Sequence, residues 1–441
     1  MNPAKKHIPV LAAFCLLVAF ACAQSPFVGV KDGHFVLKGR PYYFAGANMW
    51  YAGLLAAGVQ GEAGKQRLAR ELDFLQQKGV TNIRVMLGAE GMLSSLNGVR
   101  PVHPALQPRQ GQFDETLFRG IDFLLAQLDR RGMKAVLFFS NNWEWSGGFL
   151  QYLVWNGRLD STAVAPKLSW DDYRDDTRRF YDCPECIDAY SVYVRRVLGR
   201  ENPLTGKKYT EEPAVMAWEI ANEPRPMRPA SDSAYARFLR GAAALLKSLD
   251  KNHLVTLGTE GVMGTESEAL YEAIHRDPSV DYCTIHIWPK NWRWFTDTAI
   301  AASRDNIARR SEAYIRLHGD IAARLGKPLV LEEFGLPRDG HSFDITAATS
   351  QRDAWYADIF GRLQQSAQEG GVLAGVNFWT MGGEARPIKG QVFWKEGDSL
   401  QGDPPMEEQG LNAVFDSDDS TWKIIASVTQ KINALYGATR R

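Results

Sequence analysis

The chain has 441 residues, of which 45% are hydrophobic and 23% are charged, and its 51 basic side chains balance its 51 acidic ones. The apolar content excludes an intrinsically disordered chain. The charge balance argues against a nucleic-acid-binding protein, which usually carries a basic excess. The 13 tryptophans need an explanation, because rings of this size are either buried or used for binding.

The N-terminal residues have the order of a secretory signal peptide. A short basic segment, residues 1–7, precedes an apolar run that ends in the small residues around Ala23. This order predicts a signal peptide over residues 1–23, with a secreted, periplasmic or cell-surface product. The alternative is a lipid anchor at Cys22, although Phe20 fits a lipoprotein signal poorly. Later apolar segments are too short to span a bilayer, so we expect no integral membrane span.

Cys183 and Cys186 are the only closely spaced cysteines that follow this segment. Their spacing predicts a local disulfide or two free thiols, because a zinc site would need two further ligands that no neighbouring residue supplies. The sequence contains no HExxH, P-loop or GxGxxG motif. We therefore expect neither a metal nor a cofactor.

Short β-rich runs alternate with segments of helical spacing along the rest of the chain. Eight strands with intervening helices predict an α/β fold, a (β/α)8 TIM barrel that forms a single catalytic domain over residues 24–441. A short N-terminal β-hairpin, residues 27–40, is predicted to close the barrel floor. The segments 141–182 and 381–419 are predicted long loops at the end of the barrel where active sites are built. The predicted strands are 42–48, 81–87, 134–140, 215–222, 254–258, 282–286, 329–333 and 375–379, and the predicted helices are 64–77, 113–131, 187–198, 233–249, 266–275, 296–323, 351–369 and 421–435.

Two of the predicted strands lead directly into carboxylates. The fourth ends in Asn222-Glu223 and the seventh ends in Glu333. Acids that follow buried apolar residues are costly unless they face a cavity with partners. Two acids that face each other across a barrel mouth are what retaining glycoside hydrolysis requires, with carboxyl groups about 5–5.5 Å apart.

Other strand ends carry residues that suit such a site. Arg84 could hold a carboxylate ionised, His286 and Asn222 could bind sugar hydroxyls, and Trp379 could stack on a sugar ring. Each of these also has a structural alternative, such as neutralising a core acid or packing in the core. Alternation along the strand predicts that Glu332 points away from Glu333, so one of the two is structural.

The sequence resembles glycoside hydrolase family 5 and, within it, the β-mannanase subfamily. The likeness covers nearly all of the chain after the predicted signal peptide. Asn-Glu-Pro at residues 222–224 is typical of a broad clan, and the stretch before it is more specific to the subfamily. The matching segments are Asn-x-x-Thr-Gly-x-x-Tyr at 202–209, Pro-x-x-Met-Ala-Trp-Glu at 213–219, Gly-Ala-Asn at 46–48 with Trp50, Ser-Asn-Asn-Trp at 140–143 and Thr-Ile-His-Ile-Trp at 284–288.

The resemblance implies a secreted retaining endo-β-1,4-mannanase with Glu223 as acid/base and Glu333 as nucleophile. It implies that mannan, glucomannan or galactomannan is the substrate, and the charge balance predicts that no nucleic acid is bound. Many family members carry a tyrosine at the position of Trp288. The residues expected to bind substrate are Arg84, Asn142, Trp143, Asn222, Arg225, His286, Trp288, Trp379 and Trp50, with Arg225 on the leaving-group side and Trp50 among ten tryptophans at or beyond strand ends.

Three alternatives to an endo-mannanase stay open at this stage. An exo-acting β-mannosidase or mannobiohydrolase differs only in whether the long loops wall off the cleft. A cellulase of the same barrel differs in pocket geometry that residue spacing does not fix. A non-catalytic sugar-binding barrel belongs to a different class, and the presence of both glutamates with Arg84, Asn222 and His286 argues against it.

Overall fold

A computed structural model describes residues 25–91, 101–160, 169–296 and 299–436. The predicted signal peptide and Cys22 lie outside these residues. The strands of the described chain are β1 (Val28–Lys31), β2 (His34–Leu37), β3 (Arg40–Pro41), β4 (Phe44–Asn48), β5 (Asn82–Met86), β6 (Lys134–Asn141), β7 (Glu201–Asn202), β8 (Lys207–Lys208), β9 (Val215–Asn222), β10 (Leu254–Thr256), β11 (Cys283–Ile287), β12 (Leu329–Phe334), β13 (Leu373–Phe378), β14 (Met381–Gly383) and β15 (Val414–Phe415). The α-helices are α1 (Ala52–Ala56), α2 (Gly61–Gln77), α3 (Glu115–Arg131), α4 (Gly148–Trp155), α5 (Trp170–Thr177), α6 (Pro184–Leu198), α7 (Asp232–Leu249), α8 (Val262–Thr265), α9 (Glu268–His275), α10 (Arg304–Leu325), α11 (Ser350–Glu369) and α12 (Asp419–Tyr436).

Eight parallel strands form the barrel, in the order β10-β9-β6-β5-β4-β13-β12-β11. Individual hydrogen bonds close the seam between β10 and β11: the Asp281 amide donates to the Val255 carbonyl (2.8 Å), and the His286 amide donates to the Glu260 carbonyl (3.1 Å). Every residue of β6 and β9 is buried. Burial on both faces is what a parallel sheet covered by helices requires. The predicted (β/α)8 fold is confirmed.

Local signals place the helices between the strands. Asp114 begins α3 by accepting hydrogen bonds from the amides of Thr116 (2.7 Å) and Leu117 (3.2 Å). Gly132 ends the same helix with φ of 65°, a left-handed conformation that glycine adopts without a steric penalty. The chain therefore turns at once from the helix into β6.

The N-terminal strands cover the floor of the barrel, as predicted. Phe35 of β2 packs edge-on against Tyr282 (5.2 Å between ring centroids) and lies 6.4 Å from Phe44. The carbonyl of Pro26 accepts a hydrogen bond from Lys134 Nζ (3.1 Å) at the start of β6. These contacts close the end of the barrel opposite the strand termini that carry the predicted acids.

The prediction that residues 141–182 form a loop is wrong, because α4 and α5 lie within this segment. The sequence of α4 is apolar on all sides and therefore lacks the one-sided pattern that identifies a surface helix. The next helix begins one turn earlier than predicted, at Pro184, and a disulfide between Cys183 and Cys186 spans its first turn. Among the described residues, no helix is both long and apolar enough to cross a membrane.

Glu90 lies just beyond β5 and is buried against α4. One carboxylate oxygen accepts a hydrogen bond from the Gly148 amide (3.3 Å), whereas Oε1 has no partner among the described residues. Burial raises the pKa of Glu90 to about 8. Between pH 4.5 and pH 8, the carboxyl group of Glu90 therefore keeps its proton more readily in the folded state than in the unfolded state.

We expect Glu90→Gln to stabilise the protein at neutral pH. An acid with a raised folded-state pKa favours folding most at low pH, and that contribution is lost as the pH rises towards 8. At 1.36 kcal/mol per pH unit, the penalty reaches about 3 kcal/mol at pH 7, and the amide avoids it. Urea unfolding at pH 5 and pH 7 measures this difference. The exposed Glu62→Gln is the control, and a gain that does not grow with pH would contradict the prediction.

Candidate active site

A cavity of about 1460 Å³ opens at the carboxyl ends of the barrel strands. Its lining includes Glu223 at the end of β9 and Glu333 in β12. An oxygen of each carboxylate and a ring nitrogen of His286 all lie within 4.8 Å of one another. The two acids that the sequence places on different strands therefore meet in one cavity.

Arg84 lies beneath these acids and is fully buried. Its Nε and Nη2 donate to the two oxygens of Glu219 (2.8 and 2.5 Å), and its Nη1 donates to Glu333. The remaining contacts are to the side-chain carbonyls of Asn222 (2.8 Å) and Asn48 (3.1 Å). Burial works against the charged guanidinium, but the charges of Glu219 and Glu333 raise the pKa of Arg84 well above its usual value. Arg84 thus stays charged.

Glu223 contacts one residue that follows β6 and one that lies in β11. Trp143 Nε1 donates to its Oε2 (2.6 Å), and Nδ1 of His286 lies 2.6 Å from its Oε1. The backbone of Glu223 has φ of 51°, a left-handed conformation that is uncommon for a side chain of this size. Strained conformations of this kind cluster at functional sites, where the surrounding structure holds them.

Glu333 has a different set of partners. Besides Arg84, it accepts a hydrogen bond from Trp288 Nε1 (3.2 Å), and its Oε2 lies 3.3 Å from His286 Nδ1. Burial disfavours a charged imidazole, but the Glu333 charge and the contact with Glu223 raise the pKa of His286 well above its usual value. The Nδ1 atom of His286 thus lies within hydrogen-bond distance of both acids.

The prediction that Glu332 points away from Glu333 is wrong. The pairing of β11 with β12 shifts at this point, from Ile285 opposite Leu331 to His286 opposite Glu333. This bulge leaves Glu332 as an extra residue and breaks the alternation of side chains. Its carboxylate is buried in the barrel, where it accepts a hydrogen bond from the Tyr282 hydroxyl (3.2 Å) and lies 4.0 Å from Arg84.

An aromatic platform borders the cavity beside Glu223. It consists of Trp143, Trp170 and Tyr173, whose ring centroids lie 5.8 to 6.1 Å apart with interplanar angles of 10° to 29°. The Arg225 guanidinium lies 5.0 Å from the Trp143 ring centroid, and Glu260 pairs with that guanidinium. The sequence analysis did not identify Glu260 or Tyr173 as site residues. Glu260 could have been found, because it is an acid that closely follows the predicted fifth strand, 254–258.

The predicted residues fall into two groups in the structure. Arg84 and His286 are buried directly below the cavity and contact the acids instead of lining the wall. Asn142 is fully buried, and its carbonyl accepts a hydrogen bond from the Tyr173 hydroxyl (2.6 Å). The predicted residues that line the cavity are Trp143, Asn222, Glu223, Arg225, Trp288, Glu333 and Trp379.

Trp50 is not brought to the cavity, which corrects its predicted role in binding substrate. The side chain is 1% exposed and packs edge-on against Trp145 (5.5 Å between ring centroids). Its indole N–H donates to the carbonyl of Gly402. Trp50 lies beyond the end of its strand as predicted, but the segment that precedes β15 covers it.

Glu223, His286 and Glu333 are also close enough in space to offer three ligand atoms to one metal ion. The Arg84 guanidinium already places positive charge against Glu333.

Comparison with known proteins agrees with this geometry. Residues 25–436 match the family described as GH family 5 beta-mannosidase-like. The chain therefore belongs to this glycoside hydrolase family.

Three similar proteins illustrate the relationship. Mannan endo-1,4-beta-mannosidase 7 of Arabidopsis thaliana is 31% identical over 375 residues, which cover 82% of this chain and 79% of that protein. Mannan endo-1,4-beta-mannosidase 1 of Oryza sativa subsp. japonica is 30% identical over 429 residues, with coverages of 94% and 88%. A crystal structure of a variant of the glycoside hydrolase family 5 mannosidase from Rhizomucor miehei, in complex with mannosyl-fructose, superposes with a TM-score of 0.84 at 28% identity, covering 93% of this chain and 98% of that one.

We expect Arg84→Met to destabilise the protein strongly. The variant leaves the carboxylates of Glu219 and Glu333 buried without their cation, a change that typically costs about 3–5 kcal/mol. Arg84→Lys should lose less, because it keeps the charge but cannot bind Glu219 through two nitrogens. Denaturant unfolding measures both effects. The exposed Arg130→Met should change stability by under about 0.5 kcal/mol, and equal stability of Arg84→Met and the wild type would contradict this reading.

Proposed function

We propose that the protein hydrolyses β-1,4-mannosidic bonds with retention of anomeric configuration. The observation that carries this proposal is the pair Glu223 and Glu333, with carboxylate oxygens within 4.8 Å in one cavity. Retaining enzymes hold their carboxyl groups about 5–5.5 Å apart, whereas inverting enzymes need about 6.5–9.5 Å to admit a water molecule. The spacing supports direct attack by one acid on the sugar.

In the first step, we assign Glu333 as the nucleophile and Glu223 as the acid. Arg84 donates to Glu333 and places a permanent positive charge beside it. A Glu333 oxygen bonds to the anomeric carbon while the glycosidic C–O bond breaks. The Glu223 proton moves to the departing oxygen, so the leaving sugar departs with a neutral hydroxyl.

In the second step, water replaces the leaving sugar. Glu223, now ionised, takes a proton from the water, whose oxygen attacks the anomeric carbon and breaks the ester bond to Glu333. Two displacements at the same carbon restore the original configuration. His286 Nδ1 contacts both acids and can hold them in position through both steps.

Mannan is the substrate class that the relatives support. The plant proteins at 30–31% identity are mannan endo-1,4-beta-mannosidases. The aromatic platform offers flat apolar faces to a neutral sugar polymer. Trp288 and Trp379, which line the same cavity as Glu333, do the same. Endo-acting cleavage of mannan, glucomannan or galactomannan is therefore the proposed activity.

An exo-acting mannosidase is a second candidate. The observation that favours it is the TM-score of 0.84 with the Rhizomucor miehei mannosidase, whose bound ligand is the disaccharide mannosyl-fructose. Product analysis on mannohexaose separates the candidates. Mixed oligosaccharides at early times indicate endo action, whereas mannose or mannobiose alone indicates exo action.

We also propose that the protein is exported, with residues 1–23 removed as a signal peptide. The order of basic, apolar and small residues supports this proposal. Mass spectrometry of the mature N-terminus tests it, and a diacylglyceryl group on Cys22 would identify the lipid-anchored form instead.

Replacing Glu223 should lower turnover and replacing Glu333 should abolish it, and the substrate dependence of each loss should identify the role of that acid. We expect Glu223→Ala to lower kcat on mannan by about 10²–10⁴-fold, the usual contribution of general acid–base catalysis. The loss should be smaller on an aryl mannobioside, whose leaving group needs no proton. Glu333→Ala should be inactive on both substrates, and azide should restore activity by forming a glycosyl azide of inverted configuration.

The control for these variants is Glu268→Gln, an exposed acid at the start of α9 that should leave the rate unchanged. Full activity of Glu223→Ala on mannan would refute the assignment of the acid. A product of inverted configuration from the wild-type enzyme would refute the retaining mechanism.

A further inference from the structure

The peptide group that precedes Trp143 is held at both of its ends. Its carbonyl, which belongs to Asn142, accepts a hydrogen bond from the Tyr173 hydroxyl (2.6 Å), and its N–H, which belongs to Trp143, donates to Oδ1 of Asn141 (3.0 Å). Burial raises the pKa of the Tyr173 hydroxyl well above its usual value, so this group remains a donor. Asn141 ends β6, whereas Tyr173 lies on α5. The backbone that carries Trp143 is thus fixed from two separate elements.

The ring of Tyr173 also supports the ring of Trp143. The two rings are stacked, with 5.8 Å between their centroids and 20° between their planes. Tyr173 is only 7% exposed, whereas Trp170, the third ring of the aromatic platform, is 48% exposed and Trp143 is half-buried. A sugar therefore reaches chiefly Trp170 and Trp143, and Tyr173 packs behind them.

Charge pairs hold α5 against the segment that follows the strand of Glu223. Arg228, which lies shortly after β9, donates to both oxygens of Asp175 (3.0 Å each), and its Nη2 lies 2.9 Å from Asp171. These two acids lie one turn apart on α5, on either side of Tyr173 in the sequence. Two parallel hydrogen bonds between an arginine and a carboxylate fix orientation as well as distance. Tyr173 is thereby held beside the strand end that carries the proposed acid.

Trp143 transmits this support to Glu223. Its indole N–H donates to Oε2 of the acid (2.6 Å), while Nδ1 of His286 lies 2.6 Å from Oε1. A contact on each oxygen fixes the plane of the carboxyl group. An acid protonates a leaving oxygen only within hydrogen-bond reach, so a carboxyl group that rotates away from this plane protonates it less efficiently.

We infer that Tyr173 is a positioning residue for the acid. Its hydrogen bond to the Asn142 carbonyl and its ring contact with Trp143 hold the indole that orients Glu223. The inference rests on the proposed function, since it takes Glu223 to protonate the departing sugar. It assigns a part in the reaction to a buried residue on α5, a helix that the sequence pattern does not predict.

The test compares Tyr173→Phe and Tyr173→Leu with the wild type on two substrates. Mannotetraose has a sugar leaving group that must be protonated, whereas 2,4-dinitrophenyl β-mannobioside releases a phenolate that needs no proton. On mannotetraose, we expect kcat/KM to fall about 5-fold for the phenylalanine, which lacks only one neutral hydrogen bond. The leucine also removes the ring, and we expect a loss of about 100-fold, as for a catalytic group displaced by about 1 Å.

On the dinitrophenyl substrate, both variants should keep the wild-type kcat/KM, because this parameter ends at the first irreversible step, in which the phenolate departs. A partly unfolded variant would lose both rates in the same proportion. The ratio of the two kcat/KM values therefore separates a displaced acid from a merely destabilised protein, even if Tyr173→Leu folds poorly. An equal loss on both substrates, or an unchanged ratio for both variants, would overturn the inference.

A double-mutant cycle tests whether Tyr173 acts through Trp143. Trp143→Phe removes the indole donor, so adding Tyr173→Phe to it should lower kcat/KM on mannotetraose no further. A second, independent 5-fold loss in that background would contradict the proposed route.

Tyr43→Phe is the matched control, because it removes a similar bond, from a buried tyrosine hydroxyl to the carbonyl of Gly371 (2.8 Å), at the floor of the barrel. Its ratio of kcat/KM values should equal that of the wild type. A wild-type protein inactive on both substrates would refute the proposed function instead, so the two failures are distinguishable.

Discussion

The buried guanidinium of Arg84 is the interaction on which the site depends. It is fully buried and donates to side chains from β4, β9 and β12 while itself belonging to β5. A charge in this position is tolerated only if its donors are matched by acceptors of fixed geometry. The ends of four strands are therefore fixed relative to one another by one side chain. Because Glu333 is one of the acceptors, the position of the proposed nucleophile is set by the same contacts that hold the buried guanidinium.

Two chemically identical side chains acquire different properties from this arrangement. Glu333 contacts a permanent cation, whereas Glu223 contacts the neutral indole of Trp143 and shares the imidazole of His286. A permanent positive charge beside one acid and a neutral donor on the other give the two carboxylates different electrostatic surroundings. The proposed division of labour between nucleophile and acid rests on this difference.

The sequence predicted the barrel and the meeting of its two acids because both depend on regular periodicity. The bounds of β9 were predicted without error, because an apolar run that leads into Asn222 and Glu223 indicates a buried strand of a parallel sheet. Irregular features were not predictable in this way. The bulge at Glu332 depends on pairing with a distant strand, and the burial of Trp50 depends on a segment some 350 residues further along the chain.

The two halves of the cavity recognise a sugar by different physical means. Stacked rings border Glu223, where a leaving group must be held and then released, and dispersion contacts of this kind tolerate small shifts of the ring. Directional contacts fix Glu333, beside which the attacked carbon must be placed within a few tenths of an ångström, because Arg84 and the indole N–H of Trp288 both donate to its carboxylate. Hydrogen bonds of this kind supply direction, whereas an aromatic face alone does not. The abundance of tryptophan thus suits retention of a neutral polymer, and the position of the proposed nucleophile is set by a few polar contacts.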